Sequence, residues 1–235
     1  MGRLTVDPVL ITPAYSYRDA AHYLRVPVST LRSWFTGQDY RLKDESVRRF
    51  RPVIRSDGKG PSALSFLNFV EAHVLAAIRR EHRVQLQAVR RALDYVRRQF
   101  EWDRPLAEGR FETDGVDLFV ERLGTFINVS SHGQTEIRDA LTARLRRIER
   151  NDLGQPQRLF LVTRTSELDE SGRSVLVDPR IQFGRPVLSG TRVPTAVLAD
   201  RFKAGDTIEL LADDFQVPPT TIQDALRCEL TRIDL

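Results

Sequence analysis

Cysteine is nearly absent from this 235-residue chain, and the single Cys228 leaves no room for an intramolecular disulfide or a cysteine-held zinc site. It sits in a late helical pattern between Arg227 and Glu229, where it reads as an ordinary helical residue in a reducing compartment. Lysine is almost as scarce: Lys43, Lys59 and Lys203 are the only ones, so arginine carries the net charge of +4. Arginine's planar fork grips phosphate and base edges bidentately, which suits a nucleic-acid surface. A high-GC genome favours arginine codons and produces the same bias. No apolar run approaches the ~20 residues a membrane helix requires, and the polar N-terminus has no signal-peptide core, so a cytoplasmic protein without a membrane partner is expected. Glycine-rich phosphate loops are missing too. His22, His73, His82 and His132 are scattered, with no spacing suited to a metal site or a nucleophile and its base. His73 lies near an apolar stripe and is expected to be packed and hydrogen-bonded. Asp213-Asp214 imitates a metal-binding pair, but neighbouring helical residues point about 100° apart. These absences argue against an enzyme, and neither cofactor nor metal is expected.

What is present suffices for two or three modules, because 41% hydrophobic and 29% charged residues exclude wholesale disorder. After a proline-containing lead-in, Ser16 and Asp19 form an imperfect capping box that starts a helix burying Ala20, Ala21 and Leu24. Pro27 breaks it. A second helix begins at Val28 and buries Leu31 with Trp34 or Phe35, until Gly37 stops it. Phe50 to Ile54, followed by the turn signal Ser56-Asp57-Gly58-Lys59-Gly60, reads as a small basic hairpin. Next come a helix ending near Glu81 to Arg83 and another with Leu86, Val89, Leu93, Val96 and Phe100 in a heptad seam. That seam can pack on the preceding helix or on a second chain, with core packing the preferred use. Residues 110–129 suggest a small antiparallel meander, turning at Asp114-Gly115, and residues 135–150 an amphipathic helix. Arg158 to Thr163 and Ser174 to Val177 suggest a second hairpin. Three helices then run from Thr195 to Lys203, Thr207 to Ala212 and Thr220 to Leu230. The fold class expected is mainly α with small antiparallel β hairpins (α+β).

The pair of helices around Pro27 has the parts of a groove reader. Ala20 and Ala21 permit close helix approach, Val26 plugs the corner, and Leu31 with Trp34 anchors the second helix. Ser29, Thr30, Arg32 and Ser33 are left facing outward, with Arg18 nearby. An ordinary helical hairpin in a core is the competing reading. Pro27 stands where a capping hydroxyl would serve, so the cap must come from elsewhere or the helix start one residue later. With the basic hairpin behind it, the pattern A-A-x-x-L-x-V-x-x-S-T-L-R-x-W resembles the MerR-like winged helix-turn-helix group over about residues 15–100. That resemblance implies a dimer on double-stranded DNA. Ser29, Thr30, Arg32 and Ser33 would contact the groove, Arg48, Arg49, Arg51, Arg55 and Lys59 the phosphates, and Arg18 would also bind the DNA.

The stretch from Asp178 to Leu226 is the more specific one. Gly184 and Gly190 permit turns that Pro186 and Pro194 rigidify, and Thr191-Arg192 can pin the turn through a hydroxyl and a guanidinium. Arg185 and Arg192 could also touch phosphate, although for Arg192 the structural role is preferred. Ile208, Leu211, Phe215, Val217, Ile222 and Leu226 would fill the helix bundle. The motifs D-P-x-I, G-x-P-V-L-x-G-T-R-V and I-x-x-L-A-x-D-F are similar to those of a small bacterial domain family that commonly partners PIN-like ribonuclease toxins. Together the two halves resemble a VapB-type antitoxin, which implies a DNA-binding repressor that shields a toxin. Asp206, Glu209, Asp213 and Asp214 make the second corner acidic, suited to a protein partner rather than DNA. The chain runs only five residues past Leu230, so a folded surface rather than a tail is expected to meet the toxin. The expected modules are residues 1–107, a winged helix-turn-helix with a helical hairpin; 108–165, a β meander plus helix; and 166–235, a three-helix antitoxin domain. Two other functions stay open: an effector-sensing regulator binding a small molecule over 110–165, and a pure interaction module.

Overall fold

A computed structural model of the chain describes residues 6–41, 47–60, 64–82, 84–127, 131–163 and 173–230. It divides into two compact units, one of residues 1–146 with 150–156 and the other of 147–149 with 157–235. The 108–165 span therefore contributes to both. As expected, the protein is mainly helical with small antiparallel sheets.

The first unit opens with α1 (Pro8–Ile11) and β1 (Pro13–Tyr15), then α2 (Tyr17–Leu24) and α3 (Val28–Thr36). Next come the hairpin β2 (Gln38–Arg41) and β3 (Val47–Phe50), then β4 (Leu64–Ser65), which pairs with β1. Four helices complete it: α4 (Phe66–His82), α5 (Leu86–Phe100), α6 (Gly115–Ile127) and α7 (Ser131–Leu145). From Phe66 to Ile78 every residue of α4 is buried, and α1, α2 and α7 pack around it. On α5, Val89, Leu93 and Val96 of the expected seam are buried, while Leu86 and Phe100 stay half-buried. Its principal partner is α6 rather than the preceding α4.

The α6 helix corrects the expected meander. Val116, Phe119, Val120 and Leu123 recur at helical spacing and are all buried. Gly115 does not turn a hairpin: a side chain there would meet Phe111 at 2.7 Å and Trp102 at 2.9 Å, so it is a point of close packing. Phe126 and Ile127 end α6 rather than starting a third strand, and residues 128–130 lie outside the described residues. The amphipathic helix is displaced toward the N-terminus, starting at Ser131 rather than near residue 135. It stops at Leu145, and Ile148 continues the apolar stripe from a strand. His73 is buried, with Nε2 3.3 Å from the Arg144 carbonyl.

The second unit is built on a sheet in the order β5 (Ile148–Arg150), β6 (Pro156–Thr163), β7 (Arg173–Val177), β8 (Val187–Leu188). Leu159 pairs with Val177 and Phe160 with Leu176, the hairpin the sequence suggested. Helices α8 (Thr195–Lys203), α9 (Ile208–Phe215) and α10 (Pro219–Leu230) match the three expected spans, and α10 packs on α8, α9 and β7. Leu211, Ile222 and Leu226 are buried, whereas Ile208, Phe215 and Val217 are only partly so. A buried bond from Ser174 Oγ to Asp224 Oδ2 (2.6 Å) fixes α10 to β7. Cys228 is buried in α10.

Candidate nucleic-acid interface

The corner between α2 and α3 is set by backbone chemistry. Ser16 Oγ accepts the Asp19 amide at 3.1 Å and donates to the Asp19 carboxylate at 2.6 Å, satisfying one orphan donor at the start of α2. Arg25 ends that helix in the left-handed region (φ 53°), and the Val26 amide reaches back to the Ala21 carbonyl at 3.0 Å. Val26 is buried in the angle. Pro27 takes the cap position of α3 without a side-chain bond, and the Leu31 amide binds its carbonyl at 2.9 Å. Leu31, Trp34 and Phe35 are all buried, so both aromatic anchors considered from sequence are used.

The opposite side of α3 is open. Ser29 and Arg32 are exposed, while Thr30 and Ser33 are half-buried. Ser33 Oγ already donates to the Thr30 carbonyl at 2.7 Å, which makes it the weakest of the four contacts expected from sequence. The Arg32 guanidinium lies 5.5 Å from the centroid of the Tyr17 ring, a perch that positions it without neutralising it. Burial pushes the Tyr17 phenol up, so it remains protonated beneath that cation. A hollow of about 930 Å³ runs along one flank of α3, between Ser29, Thr30 and Ser33 and the start of α5 at Gln85 and Gln87. A second of about 450 Å³ on the other flank joins Arg32 to Arg18 and Ser16. Arg18 is itself exposed.

The basic hairpin lies earlier in the chain than expected. The hairpin is β2 with β3, Gln38 opposite Phe50 and Tyr40 opposite Arg48, and not Phe50 to Ile54. Two causes account for the displacement. Gly37 takes φ 73° and turns the chain directly from α3 into β2, and a side chain there would meet the Phe50 carbonyl oxygen at 2.1 Å. Pro52 has no amide for a strand ladder, and the Val53 and Ile54 amides instead bind the Trp34 carbonyl at 2.9 and 3.1 Å. Arg49 on β3 is exposed, as are Arg51, Arg55 and Lys59 on the segment after it. Residues 42–46 lie outside the described residues.

This segment is tied to the helices by contacts the sequence does not announce. Arg90 lies 4.7 Å from the Phe50 ring centroid and donates to the Arg51 carbonyl at 3.2 Å, and Arg97 donates to the Val53 carbonyl at 3.1 Å. Asn68 accepts the Asp57 amide at 2.9 Å and donates to the Arg55 carbonyl at 2.8 Å. Arg104 grips the Asp57 carboxylate bidentately and reaches Glu71 at 3.4 Å. Burial pushes the Glu71 carboxyl up to about 7, against the opposing pull of Arg104. Arg55 and Lys59 thus project from a braced loop.

At the second corner, Asp206 and Asp214 are each 2.6 Å from Arg201, which bridges α8 to α9. Of the four acids expected to face a partner, Glu209 and Asp213 are exposed without such a bridge. Thr191 pins its turn as expected, accepting the Val193 amide at 3.1 Å and donating to the Leu188 carbonyl at 3.0 Å. The Arg192 guanidinium is exposed rather than holding that turn. Among the described residues no group of three or more metal-ligating side chains occurs, and no helix is long and apolar enough to cross a membrane.

Residues 13–93, which span α2, α3, the β2–β3 hairpin, α4 and the first half of α5, match the family described as "Putative DNA-binding HTH domain". Residues 175–227 match "Protein of unknown function (DUF433)". The chain is 30% identical over 229 residues to the "Putative antitoxin VapB45" of Mycobacterium tuberculosis, a match covering 91% of this chain and 92% of the relative. The chain belongs to the family of that antitoxin. A further relative from the same organism, "Uncharacterized protein Rv2308", is 25% identical over 231 residues, covering 95% of this chain and 92% of its own. The crystal structure of Rv2018 from M. tuberculosis superposes with a TM-score of 0.64 at 24% identity, over 92% of this chain and 98% of that one, a likeness of fold.

Proposed function

We propose that this protein is a DNA-binding antitoxin. As a homodimer it places two α3 helices in major-groove segments about one helical turn apart, represses its own operon, and neutralises a PIN-like ribonuclease toxin through a folded surface. The observation that carries the DNA reading is the open outer side of α3. Ser29 and Arg32 face solvent between two hollows, flanked by exposed Arg18, Arg49, Arg51, Arg55 and Lys59. Ser29, Thr30 and Arg32 reach base edges, with Ser33 at the margin, and Arg49, Arg51, Arg55 and Lys59 sit on phosphates; the side chain of Arg48, also expected there, lies outside the described residues. Family membership supports the antitoxin role.

Titrating the full chain onto its own upstream duplex across a salt series tests the phosphate assignments. A dimer neutralising roughly 6–10 phosphates loses affinity steeply between low and physiological salt. Arg49→Ala is expected to weaken binding to all sequences alike and to lower the magnitude of the salt slope by about one for each altered contact. A salt-insensitive complex, or an unchanged slope in the variant, contradicts the assignment. Copurification with the product of the adjacent reading frame tests the toxin arm separately.

A further inference from the structure

Phe183 is the most exposed large hydrophobic residue among those described, at 90%, and a built turn holds it out. Gln182, Phe183 and Gly184 take φ of 50°, 56° and 78° in succession, a region that residues with bulky side chains rarely enter. The turn closes through Ile181 N to Asp178 O (2.9 Å), Gly184 N to Ile181 O (2.9 Å) and Arg185 N to Gln182 O (3.1 Å). Gln182 Nε2 also donates to the Arg192 carbonyl at 3.2 Å, tying the turn to the Gly190 corner. Backbone of this kind persists only where its surroundings over-determine it. The backbone beneath the ring therefore has little freedom left to lose on binding.

Sharing Ile181 and Arg192 with that turn is a hollow of about 430 Å³ whose lining combines Arg158, Arg173 and Arg192 with the apolar side chains Phe160, Leu176 and Ile181. Glu149 lines it too, but Glu149 and Asp178 are both taken up by Arg158, at 3.0 and 3.2 Å. Arg173 rests 4.7 Å from the Phe160 ring centroid, and Arg185 and Arg192 are exposed. The face is basic and partly apolar. Its composition, an aromatic anchor with arginines, is that of protein–protein hot spots. The apolar lining favours a protein side chain over a phosphate backbone.

We propose that the Phe183 turn and the arginine-lined hollow form a docking surface for an acidic partner protein. Phe183 enters an apolar socket on that partner, and a partner carboxylate enters the hollow to meet Arg173 and Arg192. Under the antitoxin reading, on which this inference rests, the partner is the toxin.

Full-length chain and the product of the adjacent reading frame, purified together and titrated by calorimetry, provide the test. Phe183→Asn removes the ring while leaving a residue that tolerates the left-handed turn. Arg192→Glu reverses a charge without touching the Gln182 bond, which uses the Arg192 carbonyl. Phe183→Asn is expected to weaken the complex roughly 30-fold or more and Arg192→Glu about tenfold, with thermal midpoint and DNA shift unchanged. Wild-type affinity in Phe183→Asn, alongside a wild-type chain that binds, overturns the surface and leaves the antitoxin reading standing. A wild-type chain that binds no neighbouring product overturns both. A weakened DNA shift in Phe183→Asn would make the ring a nucleic-acid wedge, and loss of the protein's own dimer would make the occupant a second copy. Either result overturns the acidic-partner assignment.

Discussion

The corner between α2 and α3 and the corner between α9 and α10 are close copies. In each, a helix capped by a hydroxyl, Ser16 or Thr207, ends on a left-handed residue, Arg25 at φ 53° or Gln216 at φ 54°. The next residue is a valine whose amide reaches back to an alanine carbonyl, Val26 to Ala21 at 3.0 Å and Val217 to Ala212 at 3.1 Å. Pro27 or Pro218 follows, and four positions on, Leu31 or Ile222 is fully buried. The outward residues differ. The first corner shows Ser29 and Arg32 among arginines. At the second, Glu209 and Asp213 are exposed, Arg201 takes up two further acids, and Asp224 of α10 is turned inward to Ser174. Backbone geometry specifies a helix-turn-helix, and the surface alone decides whether a polyanion can approach it.

Emptying the two anchors breaks the comparison most severely. Leu31→Ala and Ile222→Ala should each cost about 2–5 kcal/mol of stability in urea unfolding, since both sites are fully buried. Only Leu31→Ala should abolish the DNA shift under conditions where both variants remain folded. Equal losses of DNA binding would mean that the corners share one function. A smaller contrast lies in two glycines of nearly equal φ, Gly37 at 73° and Gly190 at 74°. A methyl on Gly37 collides with the Phe50 carbonyl, whereas one on Gly190 meets nothing within 4 Å. Gly37→Ala should therefore cost about 3 kcal/mol and displace the hairpin, and Gly190→Ala about 1 kcal/mol. Equal thermal shifts would contradict the crowding at Gly37.

A separate effect is a pH dependence rooted in the bracing of the loop that carries Arg55 and Lys59. With its carboxyl raised to about 7, Glu71 keeps a proton in the folded chain that the unfolded chain releases above about 4.3. The contribution is fully present below that lower value and is lost as pH rises through 7, on the order of 3–4 kcal/mol in all for a shift of this size. Glu71→Gln should flatten the change in unfolding free energy between pH 5 and 7.5. An unaltered slope in the variant would place the titration elsewhere.

Both corners were legible in the sequence because capping, a break at proline and helical spacing all point the same way. The α6 helix was not. Its apolar run suits strand or helix, and Asp114-Gly115 imitates a hairpin turn unless one knows that Trp102 and Phe111 crowd the glycine. The basic hairpin was read some ten residues late because the Trp34 carbonyl, a tertiary partner, claims the Val53 and Ile54 amides. At the candidate interface, the exposure of Ser29 and Arg32 followed from the helical wheel. The perch of Arg32 on Tyr17 required the angle between two helices, and the capture of Asp206 and Asp214 by Arg201 required three-dimensional proximity. Phe183 stood between two of the specific motifs but carried no sign of exposure, since phenylalanine ordinarily reads as core.

The central claim is that the outer side of α3 reads base edges. Its most direct test is the ratio of affinities for the chain's own upstream duplex and for a random duplex of equal length, at physiological salt, in the wild type and in Arg32→Ala. The account expects the ratio to fall by about tenfold or more in the variant while affinity for the random duplex changes little. A ratio that survives the substitution, with both affinities falling together, would contradict it.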